Sequence, residues 1–183
     1  MNIKHTNGFT LIELMITLSI AAILMALAAP NFGIFVLNSR MTAQSNDLLS
    51  AFQLARSEAI KRGVRVSLCK SANNTSCAAS GTWAQGWIVF VDGTTAGTVD
   101  GTGANADVVL RAFSALTGNS RLAGSANDVA SYVSFTASGA TSLTANRLVS
   151  LCPPSPAAVV GRDIQIAPSG RVRVQKPPAT ACT

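Results

Sequence analysis

The sequence predicts an α+β chain, a long N-terminal helix packed on a domain built around an antiparallel β-sheet. Three observations carry that expectation. Residues Phe9 to Ala29 hold no charge except Glu13. From Phe32 to Arg62 apolar residues recur at mostly three- and four-residue steps, the period of a helix with one buried face. After Gly63 the period falls to two, and short apolar stretches alternate with turn-forming clusters to the end of the chain, as strands do.

The first element is a polar leader, residues 1–8, which carries Lys4 and His5 and ends at Gly8. The apolar run 9–29 follows, and as a helix it would reach about 31 Å, enough for a bilayer core. Pro30 removes one helical hydrogen bond and is expected to kink the axis. Residues 30–62 form the amphipathic half. Phe35, Ala43, Leu48, Leu49, Phe52, Ala55, Ala59 and Ile60 are expected on the packed face, with Arg40, Asp47, Arg56, Glu58, Lys61 and Arg62 lining much of the rest. Two bases followed by Gly63 are a helix stop signal. The whole is one helix of roughly 50 residues, with its first half in a membrane or fibre and its second half on the globular domain.

Residues 63–183 suit one compact β-rich domain, without internal repeat or linker. Val64, Val66 and Leu68 alternate with Arg65 and Ser67 as a half-buried strand would. Ser71 to Gly81 is a polar turn region. Trp87–Val91 is continuously apolar, as expected for a central strand covered on both faces. Gly93 to Asp107 reads as a loop. Further strands are expected at Val108–Ser114, Val129–Ala137, Arg147–Cys152, Asp163–Ala167 and Arg171–Gln175.

Charged residues make up only 12% of the chain, which fits a small-residue domain of the bacterial envelope better than a cytosolic enzyme. The net charge is +6, and its C-terminal share is uneven. From Val129 onward Arg147, Arg162, Arg171, Arg173 and Lys176 face the single acid Asp163, an excess that suits an anionic partner or a solvated surface. Four cysteines lie in the region that would be exported, which favours disulfides. Of three possible connectivities, Cys69–Cys77 and Cys152–Cys182 each bracket a plausible hairpin or terminal segment. The two closures contribute about 2.5 and 3.5 kcal/mol on the chain-entropy account. No metal is expected, since the only histidine is His5 and no C-x-x-C pair occurs.

Glu13 is the anomaly of the apolar run. An ionised carboxylate in hydrocarbon costs on the order of 2.5–3.5 kcal/mol, so it needs a partner. A plain membrane anchor does not account for it. A secretory signal peptide would use Ala26-Leu27-Ala28 as a cleavage site, but its basic region would be thin. Gly8-Phe9-Thr10-Leu11-Ile12-Glu13 resembles the start of a prepilin of the type IV pilin and type II pseudopilin class. The resemblance implies a prepilin peptidase that cuts between Gly8 and Phe9 and methylates Phe9. It also implies that Glu13 pairs with the terminal amine of a neighbouring pilin, and that the chain is single-pass in the inner membrane before joining a pilus.

A second segment carries chemistry. Ile164 and Ile166 alternate as a strand, and Pro168-Ser169-Gly170 is a good turn, so a hairpin is expected. On its second strand Val172 and Val174 face the core, while Arg171, Arg173 and Gln175 face outward. Residues two apart on a strand lie about 6.5–7 Å apart, close to twice the 3.4 Å rise per nucleotide of a DNA strand. Two guanidinium groups so spaced suit neighbouring or next-neighbouring phosphates, to which arginine offers paired donors. Gly170, Arg171 and Arg173 also resemble the C-terminal Gly-Arg-x-Arg motif of the FimT/GspH family of minor pilins. That resemblance implies sequence-independent DNA binding during natural transformation, with Lys176 beside the motif and Arg147 and Arg162 as lesser candidates. A solvated edge strand or a subunit contact is the plainer reading. The alternatives at the level of the whole chain are a minor pseudopilin of a type II secretion system and a structural minor pilin that primes fibre assembly.

No cofactor is expected, and catalysis has little support. The chain lacks a G-x-S-x-G elbow, a phosphate-cradling Gly-Lys loop and a close carboxylate pair. Asp92, Asp100 and Asp107 fit no calcium-loop template and are expected in a solvated loop. Trp83 and Trp87 are expected to pack in the core or at an edge.

Overall fold

The computed structural model describes residues 8–101, 106–124, 129–154, 159–175 and 182, apart from the side chains of residues 27–31, 123 and 124. Its helix α1 (Leu11–Arg62) runs for 52 residues and continues through Pro30. The chain divides into two compact units, Met1–Leu37 and Asn38–Thr183.

Among its described residues the first unit is largely an apolar part of α1 that leaves its large side chains uncovered. Phe9, Leu11, Ile12, Met15, Ile16 and Leu18 are all exposed, and a helix of that character is one that another apolar medium must cover. Among the described residues no helix is long and apolar enough to cross a membrane. The apolar run of the sequence extends into residues 27–31, whose side chains are outside that description.

In the second unit α1 buries a stripe of Met41, Leu48, Phe52, Ala55 and Ala59, at the spacing of one helical face. Two polar residues, Gln44 and Ser45, complete it. Each has an acceptor: Gln44 Nε2 donates to Thr117 O at 2.9 Å and Ser45 Oγ to Thr42 O at 2.9 Å. Ala43 and Ile60, expected on this face, are exposed instead. That stripe packs into the core with the strands, so position on the helix rather than hydrophobicity decides which residues are covered. Phe35, in the first unit, is also exposed. The helix ends where expected, with Gly63 at φ 67 donating its N–H to Ala59 O at 2.9 Å. In its last turn Arg62 Nε binds Glu58 Oε2 at 2.6 Å. That bond, helped by Lys61, holds the Glu58 carboxyl below the usual range.

The strands form two antiparallel sheets where a single one was expected. The first has the order β3-β2-β1-β5, with β1 Val66–Lys70, β2 Trp87–Val91, β3 Val108–Phe113 and β5 Tyr132–Phe135. The second has the order β4-β6-β7-β8, with β4 Arg121–Gly124, β6 Arg147–Cys152, β7 Arg162–Ile166 and β8 Val172–Gln175. Strand β4 was not anticipated, because a four-residue strand with one large apolar residue, Leu122, gives little period to read. Sequence pattern gives the periodicity of strands but not which strands pair, so it could not separate one sheet from two. Both sheets send apolar side chains into one core with α1: Val66, Leu68, Trp87, Val89, Val133 and Phe135 from the first, and Leu122, Val149, Leu151, Ile164 and Ile166 from the second.

Strand β1 begins at Val66 rather than Val64 and is buried along its whole length. Its second face, expected to meet solvent, carries a smaller cluster of Cys69, Ile88 and Phe90 packed with Cys77, Val99, Val109 and Tyr132. The Cys69–Cys77 disulfide forms there as expected. The acids that were expected to be solvated organise the neighbouring loop. Asp92 is buried; its Oδ2 accepts from Ser67 Oγ and from Gly97 N, and its Oδ1 lies 2.9 Å from Arg65 Nη2 in an ion pair. Asp107 accepts from Gly93 N at 2.8 Å and Asp100 N at 2.9 Å. Trp83 and Trp87 are both core residues: Trp83 Nε1 donates to Val129 O at 2.9 Å, and Trp87 stacks on Phe113 at 5.5 Å.

Hydrogen bonds from Thr95 first, then Thr94, hold the Asp100 carboxyl below its ordinary value of 3.8. A carboxylate with a depressed folded value stabilises the fold above the unfolded value, and that support is lost as pH falls through the folded one. Side-chain carbon shifts of Asp100, followed by NMR from pH 7 to 2, are therefore expected to titrate with a midpoint below 3.8. Thr95→Ala should move the midpoint upward.

Candidate functional site

The C-terminal hairpin is built from β7 and β8 in the register Ile164↔Val174, Gln165↔Arg173 and Ile166↔Val172. Its connection is the turn Pro168-Ser169-Gly170. Gly170 N donates to Ala167 O at 2.9 Å, Ala167 N donates to Arg171 O at 2.9 Å, and Gly170 has φ 78. This is a three-residue hairpin loop that ends in a left-handed residue, the conformation glycine adopts without cost. The turn is also held from outside. Thr141 N donates to Pro168 O at 2.9 Å, and Arg56 Nη2 reaches Ser169 O at 3.4 Å. A Cβ on Gly170 would fall 1.8 Å from Gly139 O.

Pairing across β-strands puts directly opposed residues on one face. Val172 and Val174 pack against the core. Arg171 and Arg173 are exposed on the other face, as the alternation implied. There Arg173 Nε donates to Gln165 Oε1 at 2.5 Å. Arg171, Arg173 and Gln165, with Asn146, Ala167 and Ser169, line a groove of about 260 Å³.

The lesser candidates are placed elsewhere. Arg147 opposes Ile166 and Arg162 opposes Leu151, so both take the core-side register of the sheet at strand ends. Arg162 is engaged with Val160 O at 2.6 Å, Gly161 O at 2.9 Å and Asn38 Oδ1 at 2.9 Å. Lys176 lies outside the described residues. The Cys152–Cys182 disulfide forms as expected. Beside it is a base that sequence reasoning missed: Arg121, opposite Cys152 in register, whose Nη2 donates to Cys182 O at 3.2 Å. It went unnoticed because β4 did. Gln165 and Asn146 were missed as well. The opposition of Gln165 to Arg173 follows from the turn position once the hairpin is assumed.

At the other end of the chain Gly8 and Phe9 precede α1, and Phe9 is exposed. Glu13 stands in the first turn, where the helix dipole favours a carboxylate. Thr10 and Glu13 make reciprocal contacts: Glu13 N donates to Thr10 Oγ1 at 3.3 Å, and Thr10 N and Oγ1 approach Glu13 Oε2 at 3.5 and 3.4 Å. This Thr-x-x-Glu pattern is a capping box, written in the sequence, and it gives Glu13 a partner within its own chain. Among the described residues no group of three or more His, Cys, Asp or Glu side chains is placed to hold a metal ion.

Comparison with known proteins adds family and fold. Residues 44–170 match the family model for the type II transport protein GspH, and residues 3–29 match that of the prokaryotic N-terminal methylation motif. No curated protein matches the sequence. Among solved structures, the type IV minor pilin FimU of Pseudomonas aeruginosa in space group P65 superposes with a TM-score of 0.54 at 20% identity, over 78% of this chain and 99% of that one. A second crystal form of FimU, in P21, gives 0.49 at 18% identity, over 84% and 95%. The first likeness is one of fold.

Proposed function

The chain belongs to the GspH family, and on that premise we propose that it is a minor pilin that binds the phosphodiester backbone of DNA through the β7–β8 hairpin during natural transformation. The observation that carries the reading is the pair Arg171, between the turn and β8, and Arg173, on the outer face of β8, both exposed, with the strand's inner face and the turn fixed by the core, Thr141 and Arg56. A rigid strand lowers the ordering cost of binding. The arginines supply charge and paired donors without reading base edges, so binding is sequence-independent and salt-dependent.

The N-terminal segment supplies the rest of the proposal. The chain is inserted singly in the inner membrane and is cut by prepilin peptidase between Gly8 and Phe9. Phe9 is methylated, and the chain joins other major and minor pilins in a pilus that reaches the cell surface. Glu13, exposed at the head of α1, pairs with the terminal amine of a neighbouring subunit, its bonds to Thr10 being long enough to yield. The family's description as a type II transport protein favours a second reading, a minor pseudopilin of a secretion system. A deletion strain that transforms normally but fails to secrete exoproteins would select it.

The direct test is DNA mobility with the full chain in detergent. Arg171→Gln with Arg173→Gln is expected to weaken binding at low salt and to lower the slope of log K against log salt by about 2, near 0.9 for each phosphate no longer neutralised. Unchanged mobility of that double variant would remove the DNA reading.

A further inference from the structure

We propose that Gln165 is a positioning residue for Arg173, holding its guanidinium so that the two Nη groups face a bound phosphate. The inference rests on the DNA-binding reading above. Gln165 and Arg173 are directly opposed across β7 and β8, and the carboxamide oxygen of Gln165 takes the Arg173 Nε–H at 2.5 Å. A guanidinium is planar, with five N–H donors in a fixed fork. Once Nε–H is committed to Gln165 the plane of the fork is set, and the four N–H bonds on Nη1 and Nη2 are those left for a ligand. An exposed arginine without such a tether samples many rotamers, and each must be given up on binding.

The surroundings fit that role. Gln165 and Arg173 share the groove with Arg171, Asn146 and Ser169. Asn146 and Ser169 can donate to phosphate oxygens without adding charge. The backbone beneath Arg171 is held through the turn by Thr141 and Arg56, so Arg171 is placed by the turn and Arg173 by its neighbour. Gln165 is half-buried and lies on the face away from the apolar core. Its replacement therefore removes no core packing.

The test uses the full chain in detergent, a labelled duplex of random sequence and a salt series. Gln165→Leu is expected to weaken binding about 3- to 10-fold, the scale of one hydrogen bond's contribution. Its salt slope should match the parent's, since the charge is unchanged. Arg173→Gln should lower that slope by about 1. In 15N spectra the Arg173 Nε–H should be protected from exchange relative to Arg171 in the parent and lose that protection in Gln165→Leu. Gln165→Glu keeps the acceptor, so protection should persist while the added negative charge weakens binding. Gln165→Leu binding within 2-fold of the parent would overturn the positioning role. So would an Arg173 Nε–H that exchanges as fast as that of Arg171 in the unsubstituted chain, a measurement that needs no variant to fold. If Arg171→Gln with Arg173→Gln still binds like the parent, the DNA reading itself fails. If that double variant loses binding and Gln165→Leu does not, the positioning role alone fails.

Discussion

Gly170→Val is expected to destabilise the Asn38–Thr183 unit by about 3 kcal/mol, from two separate costs. The backbone at this position is left-handed, with φ 78, which an L-residue adopts at a cost of roughly 1–2 kcal/mol, more when β-branched. In addition, any Cβ would stand 1.8 Å from Gly139 O. That neighbour is backbone, so it cannot swing aside, and forcing it away costs about 1–3 kcal/mol. Gly170→Asn should recover part of the first cost and none of the second. Denaturant unfolding, followed by fluorescence of the buried Trp83 and Trp87, measures the effect. A loss below about 1 kcal/mol would mean that the turn is not pinned as described. The consequence bears on the motif. The glycine of Gly-Arg-x-Arg shapes and seats the hairpin, while the arginines carry its charge. A binding defect in a Gly170 variant therefore reports folding and is no evidence about phosphate contacts.

The second large effect lies in the core. Phe52→Ala should cost about 4 kcal/mol, within the range for truncating a buried phenylalanine. Phe52 has no exposed surface and meets the Phe135 ring edge-on at 6.4 Å, joining α1 to the strand at one margin of the first sheet. Such ring pairs add about 0.5–1.5 kcal/mol to the burial term. The midpoint of thermal unfolding should fall by about 8–16 °C. Phe52→Leu keeps most of the volume and should lose much less. If the Ala variant unfolded within a few degrees of the parent, α1 would not be the lid of this core.

Much of this architecture was legible in the residues. Gly63 after Lys61 and Arg62 marked the end of α1, and Trp87–Val91 and Arg147–Cys152 gave strand limits that the structure repeats. The outward direction of Arg171 and Arg173 followed from alternation with Val172 and Val174. What escaped depended on distant chain segments. Val64–Leu68 alternates like a half-exposed strand, yet the disulfide loop and the loop of Asp92, Asp100 and Asp107 cover its second face. Asp92 looked like a solvated acid because its partners, Arg65 and Ser67, come from an earlier stretch of the chain. The polar Gln44 was not read as buried because its acceptor, Thr117, is far along the chain.

Local sequence by itself determined the membership of the chain in its class: the Gly8–Phe9 junction, the apolar run with Glu13, the helix and its stop, the hairpin turn and the direction of its arginines. The class and the junction are read by resemblance to prepilins; the helix, its stop and the hairpin follow from periodicity and turn chemistry, which act over a few residues and leave a mark in the order of side chains. The tertiary structure decided that the strands form two sheets, which face of α1 is buried, and that Asn146 joins the hairpin's arginines while Arg147 and Arg162 take the core-side register. Those outcomes depend on which strands pair and on what covers each face, and such contacts between distant segments leave no period in the sequence.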